Sequence, residues 1–306
     1  MATLAVNRLT LAVLLLLSAC AAVDTPEACR ITRVAELPIR MVGNFPLVEV
    51  QINDKPARLL LDTGAETIVV GEGAFARLGL EHDYTSSSFS IGLGARGANW
   101  PSQAVKVVLG TLALKPAPVL VAHVVWPLRG QDEVDGLLGS QALSAYDVDI
   151  DMAQGRLTLN EPRRCPNGPP PFAGHATTLH ATGNRLYRLA IPLRVDRFDL
   201  SAIVDTGANR TFLDARRVGL TAEDLAKDRT GRATTADPVG LVVHLHRFSQ
   251  AQVGGEKIEN PTFVVGQPQE AAFDALLGSD YWRTHRVWLS YAGRTVTIGP
   301  PQPRSP

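Results

Sequence analysis

The chain has 306 residues, 45% hydrophobic and 20% charged, with 30 basic residues balancing 30 acidic ones. That length supports a sizeable core and favours two domains over one. A net charge of zero leaves no basic excess of the kind that binding to nucleic acid draws on.

The first segment reads as a targeting sequence. Arg8 precedes the apolar run Leu9–Leu17, which is too short to span a bilayer. The run ends in Leu17-Ser18-Ala19-Cys20, which resembles the lipobox of bacterial lipoproteins, where small residues precede a cysteine that is lipidated and becomes the N-terminus. An ordinary signal peptide with a chance cysteine is the competing reading. The resemblance implies a signal peptide over 1–19, a tether over 20–30, a lipid on Cys20 and a periplasmic location. By the habit of that family, Ala21 in place of an aspartate favours the outer membrane over the inner one. Of the three cysteines, Cys29 and Cys165 then remain as an even pair, free to bridge in an oxidising compartment. Two unrelated buried thiols are the alternative.

Beyond the leader, Val48, Val50 and Ile52 alternate with polar residues as a strand does, and Asn53-Asp54 follows as a turn. The stretch Arg58–Val70, RLLLDTGAETIVV, spends three leucines to deliver one carboxylate, Asp62. Asp-Thr-Gly alone is ordinary turn chemistry, and an isolated buried carboxylate is costly. Gly73–Leu80 reads as a short helical piece. Ile91–Asn99, with Gly92, Gly94 and Gly97, reads as a hairpin loop. Asp135-Gly-Leu-Leu-Gly-Ser140 leads into a helical piece over Ser140–Ala145. Val148–Ile150 and Leu157–Leu159 form a hairpin turning at Ala153–Gly155. Arg163–Phe172 is proline-rich, a linker over 162–176.

The pattern then starts again. Ile191, Leu193 and Val195 alternate, Asp196-Arg197 is the turn, and SAIVDTGANRTFL places Asp205 143 residues after Asp62. Asp214–Leu220 reads as helical, Ala233–Gly240 as the second hairpin loop, and Asp274-Ala-Leu-Leu-Gly-Ser279 leads into helical Ser279–Thr284. A shift of 139 maps Val148–Ile150 onto Val287–Leu289 and Leu157–Leu159 onto Val296–Ile298. The units therefore run over 31–161 and 177–300, with a proline-rich tail over 301–306 expected to be disordered. His244 and His246 share one strand face, but zinc needs further ligands, so surface histidines are preferred to a metal pair. Trp282 and Trp288 read as sheet-packing residues.

Two Asp-Thr-Gly triplets in matching strand contexts, each followed by Leu-Leu-Gly, resemble the pepsin/retropepsin superfamily of aspartic proteases. The closest resemblance is to the retropepsin-like aspartyl proteases of bacteria, with two units in one chain. It is carried by LLLDTGAET with DGLLGSQAL and by AIVDTGANRT with DALLGSDYW, and covers nearly everything after residue 30. It implies a mainly β fold of two pseudo-twofold-related retropepsin-like β-barrel lobes with a cleft between them. It implies an aspartic endopeptidase in which Asp62 and Asp205 share one proton and activate a water, with no metal and no cofactor.

The resemblance also implies roles for neighbours. Thr63 and Thr206 exchange hydrogen bonds across the junction, and Gly64 and Gly207 let backbone approach the carboxylates. Ala65, Glu66, Ala208 and Asn209 lie where substrate binds, and the Gly92, Gly94 and Gly97 loop is a flap. Neither hairpin loop carries the tyrosine of the pepsin branch, which favours the retropepsin branch. Leu137, Leu138, Leu276 and Leu277 buttress the loops. The implied partners are a peptide or protein substrate and a membrane reached through the lipid, and the chain is expected to act as a monomer. Because the ends of such a unit meet in a shared sheet, Cys29 and Cys165 should be neighbours despite the 136 residues between them. A bridge closing that loop is worth roughly 4–5 kcal/mol in the chain-entropy model. Two further readings stay open: a protease-like module that holds peptides without cleaving them, which two intact triplets argue against, and a lipoprotein that processes one dedicated partner.

Overall fold

The structure, a computed structural model, describes residues 31–303 apart from 86–87, 92–95, 124–127, 129–132, 163–175, 184–186, 234–239 and 269–272. Cys20, Cys29 and Cys165, the signal peptide and the linker over 163–175 lie outside the described residues, as do Gly92 and Gly94.

Three sheets organise the described residues, one per lobe and one between the lobes. In the first lobe the spatial order runs Arg96–Pro101, Leu120–Ala122, Val69–Gly71, Gly136–Gly139, Lys55–Asp62, Phe45–Ile52 and Val107–Leu109. In the second it runs Leu241–Arg247, Thr262–Gly266, Phe212–Asp214, Ala275–Leu277, Phe198–Val204, Ala190–Val195 and Gln250–Val253. The two orders correspond strand for strand and so do their directions: in both lobes the Leu-Leu-Gly strand pairs parallel with the strand that ends at the aspartate.

That pairing explains the three leucines. A strand in the middle of a sheet with both faces covered is apolar on both faces. Leu59 and Leu61 point into the main core while Leu60 points into a second cluster with Leu47, Val69 and Leu137. The second lobe repeats the division, with Ala202 and Val204 on one face and Ile203 on the other beside Phe212 and Leu276. The preceding hairpin turns also match. Asn53 and Asp54 have φ of 51° and 61°, and Asp196 has φ of 49°. Asn and Asp tolerate this left-handed region best among side-chain-bearing residues, which is why they close tight hairpins.

The lobes are joined by a six-stranded sheet: Arg33–Pro38, Arg156–Asn160 and Asp147–Asp151 from the first half, then His285–Ser290, Thr295–Pro301 and Thr177–His180 from the second. Its central pair is antiparallel, with Asp149 opposite Trp288. Those two residues are 139 apart, the same shift that relates the two closing hairpins, so each faces its own counterpart and the pseudo-twofold axis passes between them. Across this junction Arg286 binds Asp149 through Nε (2.8 Å) and Nη2 (2.5 Å). Trp282 and Trp288 are both buried, and Trp282 Nε1–H donates to the Leu277 carbonyl (2.6 Å).

Three expectations need adjusting. Asp214–Leu220 is not helical: it is the end of a strand and a turn, and the helix comes later at Ala222–Leu225. The Asp214 carboxylate accepts from the Arg216 backbone N–H (3.0 Å) and pairs with the Arg216 guanidinium, a local contact that competes with a helix. Thr221 then opens the short helix with a capping box closed by Asp224. In the first lobe the matching helix is only Glu72–Phe75. The tail is ordered further than expected: the last strand runs to Pro301, and Gln302 N–H donates to the Thr284 carbonyl (2.6 Å). Residues 304–306 lie outside the described part.

Candidate active site

The two aspartate-bearing strands end facing each other where the lobes meet. The local geometry at each is the same. Asp62 Oδ1 accepts from Gly64 N–H (3.0 Å) and Ala65 N–H (2.8 Å); Asp205 Oδ1 accepts from Gly207 N–H (3.0 Å) and Ala208 N–H (2.9 Å). The glycines are required by close approach. A Cβ on Gly64 would lie 2.4 Å from Asp205 Cγ, and one on Gly207 would lie 2.3 Å from Asp62 Cγ. Each glycine thus touches the carboxylate of the opposite lobe.

Thr63 and Thr206 tie the loops together. Thr63 Oγ1–H donates to the Val204 carbonyl (2.6 Å) and accepts from Thr206 N–H (3.1 Å). Thr206 Oγ1–H donates to the Leu61 carbonyl (2.7 Å) and accepts from Thr63 N–H (3.1 Å). Both side chains are buried. Thr206→Val removes one hydroxyl and leaves the Leu61 carbonyl and the Thr63 N–H without that partner in a dry setting. Each such group costs about 1–3 kcal/mol, so unfolding in denaturant should show a loss of roughly 2–4 kcal/mol, while Thr206→Ser, which keeps the hydroxyl, should lose much less.

Burial pushes the Asp62 carboxyl up, opposed by the hydrogen bonds it accepts from Ala65, Asp205 and Gly64 and by the charge of Arg188. Burial and then the neighbouring charge of Asp62 push Asp205 up to about 8. Two carboxylates in contact cannot both ionise cheaply, so the pair holds one proton through the neutral range.

Behind each loop the Leu-Leu-Gly segment acts as a brace. Ser140 N–H and Oγ–H both donate to the Ala65 carbonyl (2.9 Å each). Ser279 N–H donates to the Ala208 carbonyl and Oγ–H to the Thr206 carbonyl (2.7 Å each). Gly139 and Gly278 lie against the loop backbone: a Cβ on Gly139 would meet the Thr67 carbonyl oxygen at 2.1 Å, and one on Gly278 would meet the Arg210 carbonyl carbon at 2.5 Å. Leu137, Leu138, Leu276 and Leu277 are buried in the sheet behind.

Glu66 and Asn209 hold equivalent places but differ in contacts. Glu66 pairs with Arg188 of the other lobe. The Asn209 carbonyl accepts from Asn44 Nδ2–H (2.8 Å), and Asn44 Oδ1 accepts in turn from Arg283 (2.7 Å). Gly97 sits in a strand ladder opposite Ser90 rather than in a loop, and Gly92 and Gly94 lie outside the described residues. In the second lobe Arg229–Ala233 pairs with Leu241–Arg247, and residues 234–239 lie outside the described residues. His246 Nδ1 lies 2.7 Å from Asp228 Oδ2 and His244 Nδ1 lies 3.5 Å from Thr230 Oγ1; no group of three metal-capable side chains gathers among the described residues.

Several supporting contacts were not assigned from sequence. Asp135 Oδ2 accepts from Arg58 N–H (2.9 Å) and pairs with Arg77 (2.5 Å); Asp274 Oδ2 accepts from Ser201 N–H (3.0 Å) and pairs with Arg217 (3.0 Å). The signal was present, because the aspartate and the arginine recur, Asp135 with Arg77 in the first unit and Asp274 with Arg217 in the second. Arg188, Asn44 and Arg283 have no such signal.

A family model described as aspartyl protease matches residues 48–142 and 191–281, together more than half of the chain and one segment in each lobe. No match is found among curated proteins.

Proposed function

The chain belongs to the aspartyl protease family, and on that premise we propose that it is an endopeptidase whose catalytic groups are Asp62 and Asp205. The observation that carries this reading is the pairing of two carboxylates, half-buried Asp62 and buried Asp205, one from each lobe, in equivalent hydrogen-bonded loops. A water between them gives one proton to ionised Asp62 as its oxygen bonds to the peptide carbonyl carbon. The proton on Asp205 passes to the carbonyl oxygen. The tetrahedral product then expels the amine, which takes the proton from Asp62, while one of its hydroxyls returns a proton to Asp205 as the carboxylic acid forms. The reaction needs no covalent intermediate. Thr63, Thr206, Gly64 and Gly207 hold the geometry; Ala65, Glu66, Ala208, Asn209 and the glycine-rich hairpin with Gly92, Gly94 and Gly97 contact substrate. The test is cleavage of a peptide library by protein beginning at residue 21, with and without a statine-type inhibitor. Binding of the library without turnover would favour the peptide-holding module instead.

The raised Asp205 value sets a pH dependence. Activity requires its proton, so kcat/KM should fall above about pH 8 as Asp205 ionises. The same group acts on stability. Its folded value lies above the unfolded one of about 3.9, so the folded state holds the proton more tightly. That stabilisation is complete below about pH 4 and is lost as pH rises towards 8. Denaturation at pH 5 and pH 8 reads the difference, and Asp205→Asn should remove that part of the slope.

We further propose a periplasmic protein anchored through a lipid on Cys20, with the outer membrane as the favoured site and with Cys29 bridged to Cys165. The lipobox-like Leu17–Cys20 supports the anchor. Thr32 and Glu161 support the bridge: the Glu161 N–H donates to the Thr32 carbonyl (2.9 Å), so the chain on either side of the first lobe is brought together. Mass spectrometry of the membrane-bound protein reads the adduct on Cys20, and non-reducing peptide mapping reads the bridge. Both aspartates are in one chain, which supports action as a monomer; specific activity should hold constant on dilution.

A further inference from the structure

Past their glycines the two aspartate loops differ in charge. Each runs on into a strand, Val69–Gly71 in the first lobe and Phe212–Asp214 in the second. In the second lobe the side chains of this stretch alternate. Thr211 is buried, its hydroxyl donating to Asp280 Oδ1 (2.8 Å) and accepting from Gly278 N–H (3.1 Å), and Leu213 points into the main core. Phe212 points the other way, into a cluster with Ile203 and Leu276 against which Ala208 of the aspartate loop packs. The Thr211 carbonyl accepts from Val264 N–H (3.0 Å), so the extended backbone already holds there. Alternation then puts the side chain of Arg210 on the face of Phe212 and Ala208, at the rim of an apolar wall beside Asp205.

Arg210 is exposed, and among the described residues it has neither a hydrogen-bond nor an ion-pair partner. The Asp280 carboxylate behind the loop is turned to Thr211, accepting from its N–H and hydroxyl (2.8 Å each), and to Tyr281 N–H (3.1 Å). A second cation reaches the same loop. Arg283 donates to Asn44 Oδ1 (2.7 Å), whose Nδ2–H donates to the Asn209 carbonyl (2.8 Å), while Arg283 Nε is buried without a hydrogen-bond partner among the described residues. The first lobe has no such excess. The shift of 143 puts Thr67 at the place of Arg210, and the shift of 139 puts Ser144 at the place of Arg283. The cation that does reach that loop, Arg188, is paired with Glu66. One end of the site is therefore neutralised and the other is cationic.

We propose that Arg210 is a specificity-determining residue that binds an acidic side chain of the substrate, a glutamate or aspartate on the second-lobe side of the scissile bond. The proposal deepens the aspartic protease reading and rests on it. A guanidinium offers a carboxylate two parallel N–H donors, and an apolar wall beside the pair keeps water from competing for them. The same charge repels a lysine, so Arg210 selects by rejection as well as by attraction.

The experiment uses a set of otherwise identical peptides carrying Glu, Gln or Lys at each position flanking the scissile bond. It measures kcat/KM for the wild type, Arg210→Gln and Arg210→Glu, and reads affinity by fluorescence anisotropy with Asp205→Asn, alone and combined with Arg210→Gln. In the wild type one position should favour Glu over Gln by about 10-fold. The difference should lie in KM, since the contact is away from the reacting atoms, and should shrink as salt is raised. Arg210→Gln should bring the Glu-to-Gln ratio close to one, and Arg210→Glu should turn the preference to Lys. The proposal is overturned if the wild type cleaves peptides with no preference for Glu at any position. It is equally overturned if Arg210→Gln keeps the preference, as it would if Arg283 or Arg188 were the group that reads the acid. Selective binding of Glu peptides that depends on Arg210, in a protein that cleaves none of them, would instead sink the protease reading alone.

Discussion

Asp205→Asn should lower kcat/KM by at least about 10⁴-fold, and Asp62→Asn by a similar factor. The two losses should not add in the double variant, because the carboxyls act as one unit. The fold should survive. An asparagine Oδ1 accepts the same bonds that Asp205 takes from Gly207 and Ala208, at 3.0 and 2.9 Å. Stability at neutral pH should in fact rise in either variant, since folding no longer has to bring two acids together at the cost of keeping one of them protonated. Loss of turnover joined to a gain in stability separates a catalytic role from a structural one. Peptide cleavage at wild-type rate by Asp205→Asn would rule out the shared-proton mechanism.

Gly64→Ala is the second severe change. The added methyl would sit 2.4 Å from Asp205 Cγ and 2.5 Å from its Oδ2, well inside contact. Asp205 cannot yield freely, being held by Gly207 and Ala208, so the dyad itself must open. A displacement near 1 Å in a reacting pair costs about 10²-fold, and kcat/KM should fall by at least that much. Gly207→Ala should do the same through Asp62. Gly73→Ala serves as the control, because an added Cβ there meets nothing within 4 Å. Steady-state kinetics on the three variants, with circular dichroism to show that the fold is kept, decides the matter.

The duplicated strands and both aspartates were legible because a repeat is a property of the sequence itself. Asp62 and Asp205 each end an apolar run, and each is followed by Leu-Leu-Gly. The threonine exchange was legible only through the family resemblance, since nothing local in Thr63 announces a partner 143 residues away. The recurrence of Ser140 and Ser279 was legible but their bracing contacts were not, because a serine after glycine reads as a helix start and its bond to a loop carbonyl is tertiary. Arg188 had no signal at all: its partner Glu66 is 122 residues distant, and the other unit has phenylalanine in its place. The turn after Asp214 was missed for a different reason. Apolar periodicity does not register a carboxylate that takes the N–H of Arg216 out of a helical ladder.

The pair Asp149–Trp288 decides what each half can associate with. A residue on a twofold axis meets its own copy in a homodimer. Two copies of the first half would bring Asp149 against Asp149, with Asp147 in the place that Arg286 fills here. Two copies of the second half would bring two tryptophans and two arginines together without a carboxylate. Uncompensated like charges in a buried sheet cost several kcal/mol, so neither self-pairing competes with the mixed one. Cut within 163–175, the chain should therefore reassemble only as a heterodimer, and the covalent link between the halves serves their concentration more than their choice of partner.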